Sequence, residues 1–363
     1  MKSEKSELPT TRMAGNGDFS LFTLHFSLLF PTFVPANSSK MRKLLYIFLL
    51  PLLLIGCKEK SKVDTEYVSP APTFNEDSAY VYVVEQCAFG PRVMNSEAHE
   101  ACGEYIAQMF KRLGAVVYDQ YADAKLYDGT PVKMRNIVAS YFPEATERIL
   151  IAGHWDSRQW ADNDPDERNH AVPIDGANDG ASSIGVMLEI ARQLCLQSDS
   201  NRVKVGVDLI CWDAEDSGES GGGNESSWCL GSQHWSGIRH VDGYTARYGI
   251  NLDMVGGHNT VFYREQFSMA YAPSIVDKVW GAAQRIGYGK YFSYDDAGGA
   301  ITDDHLQVNR GGIPCIDVIG SDKADGGFPA TWHTVNDNIK NISKETLKAV
   351  GQTMLEVIWT EEK

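Results

Sequence analysis

Downstream of Asn75, short apolar runs alternate with longer segments in which apolar positions recur every three or four residues. The runs NIVASYF (136–142), RILIAGH (148–154), VKVGVDLICW (203–212), YGINLDMVG (248–256) and IPCIDVIG (313–320) predict strands. Several are almost continuously apolar, as strands covered on both faces must be. Helices are predicted over 96–115, 180–197, 274–288 and 343–359. In the last, Ser343 stands where an N-cap belongs, and Leu347, Val350, Met354 and Ile358 make a core-facing stripe. This alternation predicts a three-layer α/β/α sandwich around a central mixed, largely parallel sheet. Ligands in such folds collect beyond the carboxyl ends of the strands.

The N-terminal region breaks this pattern. MRKLLYIFLLPLLLIGC, starting at Met41, places two basic residues before an apolar run and a small residue before Cys57. It resembles a bacterial lipoprotein signal, and the run from Leu44 to Ile55 is short for a bilayer span. The expected organisation is upstream sequence of no structural meaning over 1–40, a signal peptide over 41–56, a tether over 57–75 and one catalytic α/β domain over 76–363. Lipid on Cys57 would be the membrane attachment, holding an exported protein at the periplasmic face of a bacterial membrane, the outer one by the lysine that follows. A plain membrane anchor is the other reading of this stretch.

Charge narrows the partners. The 363-residue chain has 33 Lys and Arg against 48 Asp and Glu; residues 1–56 hold 6 and 3 of these, which leaves 27 against 45, a net charge of −18. Nucleic acid, whose binding depends on neutralising phosphates, is a poor partner for such a domain. Neutral or cationic peptides and metal ions suit it better. Six cysteines remain after Cys57 with no CxxC among them, and Cys87 and Cys102 are the closest couple in sequence, although order alone does not decide pairing.

Acids and histidines stand at the strand ends. RILIAGH leads to His154 and Asp156, VKVGVDLICW to Asp213, Glu215 and Asp216, and YGINL to Asp253. Asp179 closes the glycine-rich GANDG immediately before a helix, TDDH supplies Asp303, Asp304 and His305, and TWHT supplies His333. Carboxylate oxygen with imidazole nitrogen suits zinc, and a catalytic site keeps a coordination position open. Side chains alternate along extended backbone, so one of Glu215 and Asp216 can ligate while the other moves protons. His170, His234, His240 and His258 read as surface or loop residues, and GESGGGNESS (218–227) as a flexible insert near the site without the lysine of a phosphate loop.

The motifs GHWDSR, GANDGASS, WDAED, NLDMVGG, TDDHLQVNRGGIP and FPATWHTVNDN, in that order over about 85–360, resemble the zinc-dependent glutaminyl cyclases of animal type and their bacterial relatives. They are also similar to the wider zinc aminopeptidase family, whose fold is the sandwich predicted above. The resemblance implies Asp179, Asp216 and His333 as ligands of one zinc per chain, with Glu215 as general acid and base. It implies Asp253 and Asp303 as hydrogen-bonding supports, with Phe328, Trp332 and Trp228 around the substrate. Asp216 replaces a glutamate of the animal enzymes, and Asp317, grouped with the substrate residues, replaces a histidine. A two-metal aminopeptidase would add His154 and Asp253 with Asp179 bridging, and all three are present, so ligand identity leaves the metal count open. WHTVNDN and the doubled acid of TDDH look like the cyclases. The implied activity is conversion of N-terminal glutamine of peptides or proteins to pyroglutamate with release of ammonia, by a monomer. The alternatives are a two-metal aminopeptidase and a non-catalytic metal- or peptide-binding lipoprotein.

Overall fold

The computed structural model describes residues 67–362 apart from Gly222 and residues 296–298. The signal peptide, Cys57 and the tether up to residue 66 lie outside the described residues. Among the described residues no helix is long and apolar enough to cross a membrane.

The chain runs through α1 (Glu76–Cys87), α2 (Glu97–Arg112), β1 (Val116–Lys125), β2 (Pro131–Tyr141), β3 (Arg148–His154), α3 (Ala181–Leu196), β4 (Gly206–Trp212), α4 (Leu230–Gly237), β5 (Gly249–Asp253), β6 (Thr260–Phe262), α5 (Gln266–Tyr271), α6 (Pro273–Arg285), α7 (Asp304–Arg310), β7 (Cys315–Asp322) and α8 (Lys344–Thr360). The strands form one seven-stranded sheet in the order β1-β2-β4-β3-β5-β7-β6. Its centre, β4-β3-β5-β7, is parallel, while β1, β2 and β6 pair antiparallel at the edges. The sheet is therefore mixed as expected, with parallel pairing confined to the strands that carry the site.

Side-chain alternation divides the strands between two cores. Ile149 and Ile151 of β3 and Val207, Leu209 and Cys211 of β4 face a large core with α1, α2, α3, α6 and α8. Leu150, Ala152, Ile210 and Trp212 face the opposite way, against Trp235 of α4 and Val308 of α7. Helices on both faces complete the three layers. β3 spans the residues that its apolar run predicted. Ser343 caps α8, accepting from Thr346 N at 3.2 Å.

Six elements escaped the apolar pattern: the short α4, β6, α5 and α7, and the longer β1 and α1. β1, VVYDQYADAK, is an edge strand that alternates exposed with half-buried positions and so carries no apolar run. α1, EDSAYVYVVEQC, is rich in valine and tyrosine, which favour strands. Its seat on α3 decides for helix: a Cβ on Gly185 would lie 2.7 Å from Val83 Cγ2 and 2.9 Å from Ala79 O, so only glycine lets the two helices approach this closely.

All six cysteines among the described residues are free, Cys87 and Cys102 included. His240 is a loop residue as expected, half-buried instead of at the surface. Its Nδ1 accepts the Trp235 indole N–H at 3.0 Å, Tyr244 lies 4.6 Å away, and burial depresses its pKa to about 4.

Candidate active site

The site lies at the carboxyl ends of β3, β4 and β5. β3 has β4 on one side and β5 on the other, so it marks the crevice where ligands bind in open α/β sheets. His154 ends β3 and Asp253 ends β5. Beyond β4, Ala214 turns the chain at φ +52°, and the next residues are Glu215 and Asp216. Met254, after Asp253, and His333 itself also take left-handed backbone, at φ +50° and +55°. Such conformations cost about 1–3 kcal/mol each in non-glycine residues and gather where geometry is imposed by function.

Two buried carboxylates hold the loops from behind. Asp156 accepts from the backbone N–H of Glu215 (3.1 Å) and of Asp216 (3.2 Å), one on each oxygen. Asp337 accepts in the same way from Asn178 N (2.8 Å) and Asp179 N (3.0 Å). Gly180, at φ +97°, caps α3 against Asp156 O, which a Cβ would approach to 2.6 Å. The loops bearing Asp216 and Asp179 are thus fastened by their own N–H groups, which leaves those carboxylates free to face inward.

Facing inward, they form two groups that share Asp179. His333 Nε2 is 3.1 Å from Asp216 Oδ1 and 3.7 Å from Asp179 Oδ2, and His154 Nε2 is 3.0 Å from Asp179 Oδ1 and 3.3 Å from Asp253 Oδ1. Asp179–Asp216–His333 and His154–Asp179–Asp253 are each compact enough to hold a metal ion. The two groups differ in what is already satisfied. Asp179 Oδ2 and both oxygens of Asp216 are buried without a hydrogen bond, Asp216 Oδ1 meeting only the ion-pair contacts of His333 (3.1 Å) and Arg158 (3.5 Å), whereas Asp253 Oδ1 is hydrogen-bonded to His154. Carboxylate oxygens without a hydrogen bond beside an imidazole nitrogen are the donor set of zinc, so the first triad fits that ion.

Electrostatics show the strain of gathering these charges. Burial and the neighbouring Asp179 raise the pKa of Asp216. Burial would depress His333, but Asp216, Asp162 and Asp179 outweigh it and lift the imidazole to about 9. Burial would raise Asp179, but His154, His333 and Arg158 hold it below the usual carboxylate range. Glu215 is pushed well up by burial and by Asp216, Asp304 and Asp303, against the pull of His154. Asp253 rises to about 7 through burial and through Asp179 and Asp303, again with His154 opposing. A bound divalent cation would pull all of these carboxylates down.

Asp179, Asp216 and His333 floor a cavity of about 380 Å³ walled by Trp228, Phe328 and Trp332, with His154 behind Asp179 and Asp253. Trp332 stacks on His333 with ring centroids 3.9 Å apart, and Trp228 lies nearly parallel to the same imidazole at 6.1 Å. Glu215, Asp253 and Asp303 also line the cavity, so the residues singled out in the sequence converge. Asp317 is the exception. It is fully buried on β7, is not among the cavity's lining residues, and stands behind Asp303 through Asn251, whose Nδ2 is 3.0 Å from Asp303 Oδ2 and 3.5 Å from Asp317 Oδ1. A side chain pointing from mid-strand into the sheet's packing cannot reach substrate. His305 backs Asp317 from 3.6 Å and bonds Glu265, and Asp304 takes the Ser232 hydroxyl, so both are structural.

Sequence reasoning missed Arg158, Asp162 and Cys229. Arg158, 1% exposed, donates to Asp216 O at 2.9 Å and pairs with Asp162, which also lies 3.4 Å from His333 Nδ1. Cys229 Sγ is 3.4 Å from Glu215 Oε1. Arg158 closes the GHWDSR motif but, like Asp162 and Cys229, has a role defined by what the fold brings beside it.

Peptidase family M28, as a family, matches residues 136–358. The chain belongs to that family. This M28 chain is similar to a Bacteroides thetaiotaomicron glutaminyl cyclase solved with N-acetylhistamine, at 54% identity over 80% of this chain and 100% of that one, TM-score 0.77. It is equally similar to a leucine aminopeptidase precursor of the same organism, at 53% identity over 81% and 100% of the two chains, TM-score 0.77. It is also 25% identical over 284 residues to the glutaminyl-peptide cyclotransferase of Drosophila melanogaster, 70% of this chain and 73% of the relative. Zinc is the metal implied by the family and by neighbours that are zinc-dependent exopeptidases.

The N–H clamp at Asp156 is testable. Asp156→Asn sets an amide where two N–H donors now meet a carboxylate, and is expected to lower zinc affinity and turnover by about 10- to 100-fold. Metal titration followed by fluorescence, with circular dichroism to check the fold, measures this; unchanged affinity and turnover would exclude the positioning role.

Proposed function

We propose that this protein is a glutaminyl-peptide cyclotransferase, closing N-terminal glutamine of peptides and proteins to pyroglutamate with release of ammonia. The observation that carries the reading is the position of Glu215. It is adjacent to Asp216 in sequence and lines the same cavity, but stands outside the Asp179–Asp216–His333 triad. The likeness to bacterial glutaminyl cyclases near 50% identity supports it.

In N-terminal glutamine the α-amine and γ-carbonyl belong to one residue, so ring closure needs orientation more than a generated nucleophile. Asp179, Asp216 and His333 would hold one zinc, which when bound supplies Lewis-acid polarisation of the γ-carbonyl. Glu215 takes a proton from the attacking α-amine as the new N–C bond forms. It returns that proton to the side-chain nitrogen as the old C–N bond breaks, so ammonia leaves. A carboxylate whose affinity for protons is raised by burial suits both transfers, a role worth about 10² to 10⁴ in rate. Asp303, held by Asn251, and Asp253, held by His154, are placed to orient the polar end of the substrate, and the three aromatic walls keep water from the ring-closing atoms.

The second triad motivates one other reading. With a second cation on His154, Asp179 and Asp253, the site would be that of a two-metal aminopeptidase, where activated water attacks the first peptide bond. We favour one zinc because the oxygens without a hydrogen bond belong to Asp179 and Asp216. We further propose that the protein acts as a monomer, exported and tethered by lipid on Cys57 at the periplasmic face of the outer membrane.

The zinc-loaded protein is expected to release ammonia from a glutaminyl peptide and no arylamine from a leucyl arylamide; the reverse outcome selects the aminopeptidase. Glu215→Gln should keep zinc and lose at least about 10² in turnover, whereas His333→Ala should lose zinc. Metal analysis beside rate measurement separates the two, and zinc loss in the first or full zinc in the second contradicts the assignment. Labelled palmitate should enter the full chain in a bacterial host and vanish with Cys57→Ser; an unlabelled parent chain rules out the anchor.

A further inference from the structure

Between Asp216 and Trp228 the chain makes the detour GESGGGNESS, whose composition suggests slack. Its ends are gripped. Arg158 Nη2 donates to Ser220 Oγ at 2.9 Å and to Gly218 O at 3.3 Å, and Glu219 N–H donates to Ser227 Oγ at 2.9 Å, which ties the detour across its base. A Cβ on Gly218 would lie 2.1 Å from the Trp228 ring, so the backbone rests directly on that indole. Because the same guanidinium donates to Asp216 O, the detour hangs from the loop that carries the buried carboxylates.

Glu219, Asn224 and Glu225 of this detour line the cavity above Asp179, Asp216 and His333. Glu219 is half-buried and Glu225 is exposed. Neither carboxylate has a hydrogen-bond or ion-pair partner among the described residues, and no lysine or arginine lines the cavity. On the floor below, Asp216 is 1% exposed with neither oxygen hydrogen-bonded, so the cavity is built to receive cationic groups at two depths. A divalent cation on the floor would offset the charge there and leave the rim glutamates uncompensated. A cleft lined by one sign of charge focuses its field on whatever enters.

We infer that Glu219 and Glu225 form a specificity element at the cavity rim that favours peptides with lysine or arginine directly after the N-terminal glutamine. This rests on the cyclase reading above. The terminal residue must reach the floor, so the chain leaving it passes Glu219 and Glu225. The protonated α-amine is common to every peptide and discriminates none; the charge of the next side chain does. Exposed pairs of this kind are worth a few-fold each, so the preference is graded and salt-sensitive.

The zinc-loaded full chain is assayed with Gln-Lys, Gln-Ala and Gln-Glu peptides of equal length, in wild type and in E219Q/E225Q. At low ionic strength kcat/KM is expected to fall in the order Lys, Ala, Glu, with roughly two- to ten-fold between the extremes. Added salt should narrow that ratio, and the double variant should bring it close to one. The readout is a ratio between peptides, so a general loss of activity in the variant does not imitate the result. Equal kcat/KM for the three peptides, or a ratio that survives loss of both glutamates, overturns the inference and leaves the cyclase reading intact. Failure of the wild type to cyclise any of them overturns that reading, and this inference with it.

Discussion

The structure depends on making a crowd of buried carboxylates tolerable. Asp179, Glu215, Asp216, Asp253 and Asp303 converge on one cavity, and like charges in a low-dielectric setting repel strongly unless each finds a donor or a cation. The chain answers with fixed cationic groups: the imidazoles of His154, beside Asp179 and Asp253, and of His333, beside Asp216, and the guanidinium of Arg158, 3.5 Å from Asp216 Oδ1. What these groups leave unsatisfied is as informative as what they satisfy. Asp179 Oδ2 and both oxygens of Asp216 keep lone pairs without a hydrogen bond, and with His333 these residues make a group that could hold a metal ion.

The fold supplies the crowd through its topology. Parallel strands bring their carboxyl ends to the same edge, so the residues following β3, β4 and β5 meet without long excursions. Left-handed backbone at Ala214 and Met254, just past β4 and β5, and at His333 accompanies that convergence. That strain is sustained by clamps: Asp156 and Asp337 hold the ligand loops by their amides, and paired N–H groups on one carboxylate fix a loop's direction as well as its position.

Ring closure of a terminal glutamine suits such a site because the reacting atoms arrive already tethered. The protein has to shield them, polarise one carbonyl and carry one proton. The different surroundings of Asp216 and Glu215, neighbours in sequence, fit that economy: one faces His333 at 3.1 Å, the other is held beside Cys229 with its affinity for protons raised by burial. The detour after them extends the same acidic character outward to where the rest of a peptide must lie.

Periodicity along the chain determined the layer architecture, the span of β3 and the Ser343 cap, because these depend on contacts within a strand or a turn. The order of acid- and histidine-bearing motifs likewise marked out the residues that meet in the cavity. Tertiary structure decided the rest. β1 is a strand only because β2 lies beside it, and α1 is a helix only because Gly185 lets it sit on α3. Asp317 groups with the substrate residues by resemblance and stands outside the cavity, whereas Arg158, the last residue of GHWDSR, takes no role from the resemblance and joins Asp216, Asp162 and the ends of the 218–227 detour. A local pattern records how a residue sits on its own element; which charges face it across the sheet depends on elements far away in the chain, and no single stretch of sequence contains them.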